Sequence, residues 1–405
     1  MTEAIAITGL GAVSAVGQDV PALAAALREG RCGIAPLTLF HHQGRSALAA
    51  EVRGVVNVPA LPAATGRRLS RPDRFALAAA SEACRDAGLD PALRRTAALT
   101  LGATTGGMFE SEEEYRRRLA GEAQRFRLSR LLGTSLTTAA SVVAQTLGIH
   151  GPQTTVSTAC SSSALAIALA ADAIRRGRAR VALAVGTDGL CRLTYAGFDA
   201  LQALDPEPCR PFDVGRRGLS LGEGAGALVL EDAAHALARG AKPRALLVGH
   251  GCGTDAHHVT APHPEGAGAH AAFRGALDAA GLPAGAIDYV NAHGSGTRQN
   301  DAVELAVLRA VLGSRLARVP ISSTKSQIGH TLGAAGALEA IVTVLALEGG
   351  ILPPTLGLRA ADPSFGELDL VPTAGRRLPI AVAASSSYGF GGHNVTVILA
   401  RGEAR

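Results

Sequence analysis

Residues 154–174 read TTVSTACSSSALAIALAADAI. A β-rich segment, 154–158, runs into Cys160 among small residues and passes without a polar break into 163–174, which is apolar nearly all the way round. A helix without a polar face must be covered on every side. The stretch therefore predicts a strand, a tight turn and a helix buried between layers. Arg175, Arg176 and Gly177 supply the helix stop.

Working outward, further β-type runs at 4–8, 97–101, 181–185, 225–230 and 245–248 alternate with Ala/Leu-rich helical stretches. That alternation predicts a layered α/β protein. Around 233–245 (AAHALARGAKPRA) the chain turns polar and gains Gly and Pro, and a second series of strands and helices follows. The 405 residues suit two units of ordinary size, placed at 1–240 and 241–405. Each half carries a strand leading into a small-residue turn, TVSTACSSS and AVAASSSYGFGG, a hint of duplication. Residues 110–127 (ESEEEYRRRLAGEAQRFR) place acids before bases, the order that suits a helix dipole, and predict a helix with a solvated face.

A net charge of +5 permits an acidic partner, but no Trp, few aromatics and no basic arms argue against nucleic acid. The six cysteines are widely spaced, with no CxxC pair, and read as reduced thiols of a cytoplasmic protein. The N-terminus lacks the basic and apolar regions of a signal peptide. Runs such as ALAIALAADAI fall short of the roughly 20 residues a membrane helix needs. Two patterns mislead. GLGAVSAVG has its third glycine at Gly17, the wrong spacing for a dinucleotide fingerprint, and the His-rich GHGCGTDAHHVTAPHP lacks the ligand spacing of a zinc site, so no metal is expected.

The chemistry centres on Cys160. At a helix N-terminus, unpaired amides and the helix dipole favour thiolate over thiol, so a cysteine here is either an inert buried thiol or a nucleophile at neutral pH. A nucleophile that exchanges acyl groups needs partners for polarising carbonyls and handling protons. His293 follows an apolar segment in YVNAHGSGTRQND, and His330 lies five residues after Lys325 in ISSTKSQIGHTLGAAG, ahead of a Gly/Ala-rich helix holding Glu339. Each is read as structural or as a partner of the cysteine. In SSSYGFGGHN, residues 385–394, the glycines around Phe390 admit positive φ, and exposed N–H groups there suit an oxyanion.

Taken together and in order, TGLGAVSAVG, STACSSS, RPFDVGRRGLSLGEGAG, DAHHVTAPHPEG, NAHGSGTRQND, STKSQIGHTLGAAG and YGFGGHN resemble the β-ketoacyl-acyl-carrier-protein synthase family, the elongating Cys-His-His branch of fatty-acid and polyketide synthesis. The resemblance runs nearly end to end. It implies a thiolase-like α/β fold, two similar halves in αβαβα layers, and a dimer, either homodimer or heterodimer. It implies acyl carrier protein as partner and no cofactor, the substrates riding on the carrier's phosphopantetheine. By the same resemblance Cys160 is acylated, His293 and His330 polarise the malonyl thioester, and Lys325 supports His330. The amides of Cys160 and Phe390 form the oxyanion hole, and Phe390 gates acyl entry. Thr260, Ser295 and Thr297 hold the phosphopantetheine arm. Asp301, Glu304, Glu339, Gly391 and Gly392 brace the site, and Arg67, Arg68, Arg71, Arg74 and Arg210 face the carrier protein.

Ser295 departs from the threonine of many relatives, and 109–138, which in the family helps line the acyl pocket at the dimer interface, diverges; starter, chain length and pathway stay open. A thiolase would need a second catalytic cysteine near the C-terminus, and none follows Cys252. An initiating synthase of the Cys-His-Asn kind lacks the second His. A non-catalytic or partner-dependent subunit of a ketosynthase/chain-length-factor heterodimer is the alternative, against which stand the retained Cys160, His293 and His330.

Overall fold

A computed structural model describes residues 4–122, 125, 127–372 and 374–402. Ten strands form one mixed sheet: β1 (Ile5–Val13), β2 (Ala98–Gly102), β3 (Gln153–Val156), β4 (Val181–Asp188), β5 (Gly224–Asp232), β6 (Ala245–Thr254), β7 (Tyr289–Asn291), β8 (Ile321–Ser322), β9 (Val382–Gly389) and β10 (His393–Arg401). Their spatial order is β8-β7-β9-β10-β6-β1-β5-β4-β2-β3. Split between β6 and β1, it is one arrangement used twice. In each half the third strand is at the edge, followed by the second, fourth, fifth and first. The halves meet where Ile5, Ala6 and Ile7 pair antiparallel with Leu247, Leu246 and Ala245.

Seven helices frame the site: α1 (Arg71–Asp86), α2 (Met108–Leu119), α3 (Ser162–Arg175), α4 (Arg192–Ala200), α5 (Ala267–Ala280), α6 (Arg298–Leu312) and α7 (Ala335–Gly349). α3 and α7 touch each other and strands of both halves, α1 covers the first half and α5 the second, so the layers run α, β, α, β, α. The central layer is built from Ile167, Ala170, Ala171, Leu338, Ile341 and Val344, all buried, as the apolar run after Cys160 requires. Leu332–Gly349 is long and apolar enough to cross a membrane, unlike the shorter runs weighed in the sequence; most of it lies inside the protein as this core layer.

The first glycine decoy is now explained by packing. A Cβ on Gly9 or Gly11 of β1 would meet the carbonyl oxygens of Ala83 or Ala79 on α1 at 2.2 and 1.9 Å. In the second half, Gly249 and Gly251 of β6 stand against Ala276 and Ala272 of α5 at 2.3 and 2.2 Å. Both halves seat their outer helix on bare strand backbone, a close approach only glycine allows.

The charged segment 110–127 departs from expectation. Helix α2 ends at Leu119, Gly121 adopts φ 73°, and residues 123, 124 and 126 lie outside the described ones. Its acidic side is not solvated. Glu110 and Glu114 are buried, accepting the Arg71 and Arg127 N–H groups at 2.8 Å, and Glu112 accepts from Arg192 and Leu193 at the start of α4. Backbone donors left over at chain turns took these carboxylates inward.

Candidate active site

β3 ends at Val156, and the five residues 157–161 reverse the chain into α3. Ala159 is held at φ 51°, a left-handed conformation that costs a non-glycine residue strain. Hydroxyls pin the turn: Ser161 Oγ donates to the Thr158 carbonyl at 2.8 Å, Ser162 Oγ donates to that of Ala159 at 2.6 Å, and the Thr158 N–H donates to Ser162 Oγ at 2.9 Å. This is the physical reason for the serine run. The turn places Cys160, 5% exposed, in a cavity of about 640 Å³ also lined by His293, His330, Ser295, Thr297, Thr260 and Phe390.

At Cys160, burial works against the helix N-terminus. Burial pushes the Cys160 thiol up to about 11, opposed by the Lys325 charge and by the Phe390 N–H directed at the sulfur. Desolvation outweighs the favourable partners, so the free site holds a thiol at neutral pH.

His293 sits just past the end of β7, and Glu304 of α6 accepts its N–H and that of Gly294, both at 2.7 Å. Burial pushes Glu304 up to about 8, with Asp301 adding to the shift and the two N–H groups opposing it. Asp301 in turn accepts from the N–H groups of Phe212 and Gly296 at 2.9 and 3.1 Å. His330 is held through its backbone, donating to Ser220 O at 2.7 Å and accepting from Gly222 N–H at 2.9 Å. The two imidazoles meet edge to face with centroids 5.3 Å apart.

Lys325 is corrected. Its Nζ donates to the His293 carbonyl at 2.6 Å and lies 3.3 Å from His293 Nδ1, and it pairs with Glu339, whose other oxygen accepts from Ser387 at 3.5 Å. The lysine therefore supports His293, not His330. The Nδ1 of His330 instead accepts the Leu332 N–H at 3.2 Å. With Nδ1 of each ring accepting, both carry their proton on Nε2. Burial, with the Lys325 charge adding to it, holds both imidazoles well below the ordinary histidine range, so they are neutral.

Ser295 and Thr297 share a hydrogen bond of 2.9 Å on the cavity wall. Gly391 and Gly392 adopt φ 83° and 75°, whereas Gly389 is needed for space, since a Cβ there would meet Thr158 O at 2.5 Å. The ring of Phe390 stacks on Phe198 of α4 at 5.4 Å. Sequence reasoning missed Phe198, Asp255 and Asn394, all on the cavity wall; Asn394 Nδ2 donates to Asp255 Oδ1 at 2.8 Å. Asn394 closes the quoted YGFGGHN motif, but nothing in the sequence pairs it with a residue 139 positions earlier.

The arginine assignment divides. Arg67 and Arg68 are exposed. Arg71 is committed to buried Glu223 and to Val52 O, Arg74 donates to Gly66 O at 2.5 Å, and Arg210 is buried against Glu207 and Gly215. All three therefore carry contacts within the protein, Arg71 and Arg74 half-buried and Arg210 buried. The cavity rim carries other arginines, Arg45, Arg217 and Arg298. In the His-rich stretch His258 Nδ1 accepts from the N–H groups of Thr260 and Ala261, and among the described residues no His, Cys, Asp or Glu group is placed to hold a metal ion.

Residues 2–236 match the family model described as beta-ketoacyl synthase, N-terminal domain, and 244–359 match the C-terminal domain. The chain is 40% identical to Nodulation protein E of Rhizobium meliloti (strain 1021), over 98% of this chain and 99% of that protein. It is 36% identical to 3-oxoacyl-[acyl-carrier-protein] synthase 2 of Synechocystis sp., over 97% of each. Its fold is similar to the ishigamide ketosynthase/chain length factor (TM-score 0.93, 35% identity, 99% of this chain and 100% of that one). It is likewise similar to AntDE:AntF, a type II acyl-carrier protein in complex with its ketosynthase (TM-score 0.90, 29% identity, 99% and 100%). A buried cysteine that shares a cavity with two neutral imidazoles, in a doubled five-layer frame matched end to end by these proteins, places the chain in the β-ketoacyl synthase family, with its thiolase-like fold.

Proposed function

We propose that the protein is a β-ketoacyl-acyl-carrier-protein synthase, extending an acyl thioester held on Cys160 with a malonyl unit delivered by acyl carrier protein. The observation that carries this reading is the convergence of Cys160 with two Nε2–H imidazoles on one cavity.

In the first half-reaction the Cys160 sulfur attacks the acyl thioester carbonyl, and the N–H groups of Cys160 and Phe390 face the oxyanion. The carbon–sulfur bond to the carrier arm breaks, the arm leaves as a thiol, and the Cys160 proton balances it. The Lys325 charge and the α3 N-terminus stabilise the sulfur while it is anionic. In the second, the malonyl thioester oxygen accepts from His293 and His330. Carbon dioxide leaves with cleavage of the carbon–carbon bond, and the electron pair becomes an enolate that the two donors stabilise. The enolate carbon attacks the acyl-Cys160 carbonyl, the carbon–sulfur bond breaks to leave a β-ketoacyl chain on the carrier, and Cys160 departs as a thiolate that takes one proton from solvent to restore the resting thiol. Because both imidazoles are already neutral donors, no proton need be supplied before decarboxylation. Ser295, Thr297 and Thr260 hold the arm, exposed Arg67 and Arg68 with Arg298 at the cavity rim take the acidic carrier protein, and no cofactor takes part. A cytoplasmic location accords with carrier-bound substrates.

Mass spectrometry of the protein with acyl- and malonyl-carrier proteins tests the reading. The expected result is an acyl adduct on Cys160 and a product two carbons longer, both absent in Cys160→Ala; a folded protein giving neither over several acyl lengths overturns it. A second reading, a ketosynthase that works only with a related partner subunit, is favoured by one observation. Leu119, at the end of α2, and Leu128 and Leu132, soon after it in sequence, stand exposed. Turnover that appears only on adding such a subunit selects it.

A further inference from the structure

Phe390 lines the cavity of Cys160 and directs its N–H at the sulfur, yet the groups that hold its stacking partner belong to a loop far away in sequence. Phe198 lies on α4 beside Asp199, and Asp199 is gripped by residues 42–45. It accepts the Arg45 N–H at 2.9 Å and faces His42 Nε2 at 3.3 Å. One helical turn earlier, Tyr195 meets the His42 ring edge to face at 4.7 Å, so positions four apart on one helix face are held by the same loop. The Arg45 guanidinium then ties down the rest of the wall, donating to Gln202 O at 3.2 Å and Arg217 O at 3.3 Å. Gln202 takes a left-handed φ of 55° at the end of this helix, a strained position that needs such external support. The fit is close: a Cβ on Gly44 would lie 2.1 Å from Asp199 Oδ2 and 2.5 Å from His42 Nε2.

We propose that Asp199, clasped by His42, Gly44 and Arg45, is a positioning residue that keeps Phe198 stacked on Phe390 and thereby sets how readily the gate over Cys160 opens. The inference rests on the reading of Phe390 as the gate, but its test needs no turnover, so failure of the condensing activity and failure of the latch are distinguishable.

The measurement is the rate of iodoacetamide alkylation at buried Cys160 in the free protein, followed on the Cys160 peptide because Cys32 and Cys252, which are exposed, react too. Gly44→Ala forces the clasp apart without removing any polar group, and Asp199→Ala removes its acceptor. Both are expected to alkylate about two- to tenfold faster, the range an aromatic stack is worth. Phe198→Ala is expected to give the same rise, and Asp199→Ala/Phe198→Ala no further rise, because the two act through one contact. A purely structural role for Asp199 would lower the melting temperature but would add to the Phe198→Ala effect. Asp199→Asn, which keeps an oxygen for the Arg45 N–H, serves if Asp199→Ala does not fold, with a smaller rise expected. Unchanged alkylation in the folded variants, or additive rises in the double variant, overturns the proposal.

Discussion

Lys325 is nearly sealed from solvent, and its charge pairs with the carboxylate of Glu339. Removing one member of such a pair leaves the other buried alone, so Lys325→Met is expected to cost about 3 kcal/mol, read from urea unfolding, while Lys325→Met/Glu339→Leu recovers most of it. Condensation should stay low in both, because His293 loses the donor that fixes its proton on Nε2. Equal turnover in the double variant and the parent would mean the lysine only holds the fold. The pH dependence has opposite signs at sulfur and nitrogen. Burial raises the Cys160 thiol to about 11, so its alkylation rate should climb steadily with pH to at least pH 10, with no plateau near neutrality. The imidazoles are held well below their ordinary range and are functional when neutral, so decarboxylation of malonyl-carrier should stay level as pH falls through 6.5 and drop only well beneath it. A half-loss near pH 6.5 would contradict their neutral state. Cys160 and both histidines, which the structure brings to one cavity, were legible because each stands in a motif of its own. The partner of Lys325 was not, since five residues of spacing to His330 say nothing about which carbonyl a long, flexible amine reaches.

At the level of elements, strand positions were readable and helix faces less so. β-branched and Ala-rich runs marked β2, β4 and β5 to within three residues, because buried strands leave an unbroken apolar signal, whereas the run at 245–248 stops six residues short of the end of β6, where Gly, His and Cys break that signal. The acidic side of α2 could not be read, because a carboxylate in solvent and one accepting a buried backbone N–H have the same sequence signature. Glycines divide in the same way, into those with a neighbour and those without. Gly11→Ala would drive a Cβ to 1.9 Å from a carbonyl oxygen of α1, and a loss of about 1–3 kcal/mol is expected on separating strand from helix. Gly197, exposed on α4, has nothing within 4 Å of where its Cβ would be, and Gly197→Ala should stabilise by about 1 kcal/mol through helix propensity alone. Denaturant midpoints for the two variants should therefore move in opposite directions; a shift of the same sign would place the close contact between β1 and α1 in doubt.

Across the whole molecule, the doubled strand order brings the ends of β3, β7 and β9 to one cavity, so residues 130 or more positions apart share a site. The duplicated turns hinted at this in the sequence, but only the sheet order shows that each half repeats the other. The net charge of +5 is likewise not a uniform property. Many arginines, Arg71, Arg216 and Arg239 among them, are consumed by internal carboxylates, and an arginine already paired inside the protein adds little to the field a partner feels. What remains near the mouth and on the outside decides carrier association. Arg67→Glu/Arg68→Glu is expected to raise the KM for carrier-bound acyl substrate roughly three- to tenfold at low salt, with the gap closing at high ionic strength as screening shortens the reach of exposed charges. The KM for the same acyl group on free pantetheine should not change, because that substrate presents no acidic surface. Arg210→Glu, in contrast, buries a like charge beside Glu207 and should lower stability before it affects carrier binding. If the double reversal leaves the carrier-bound KM unaltered at low salt while Arg298→Glu raises it, docking is confined to the cavity rim and the exposed pair at 67–68 takes no part.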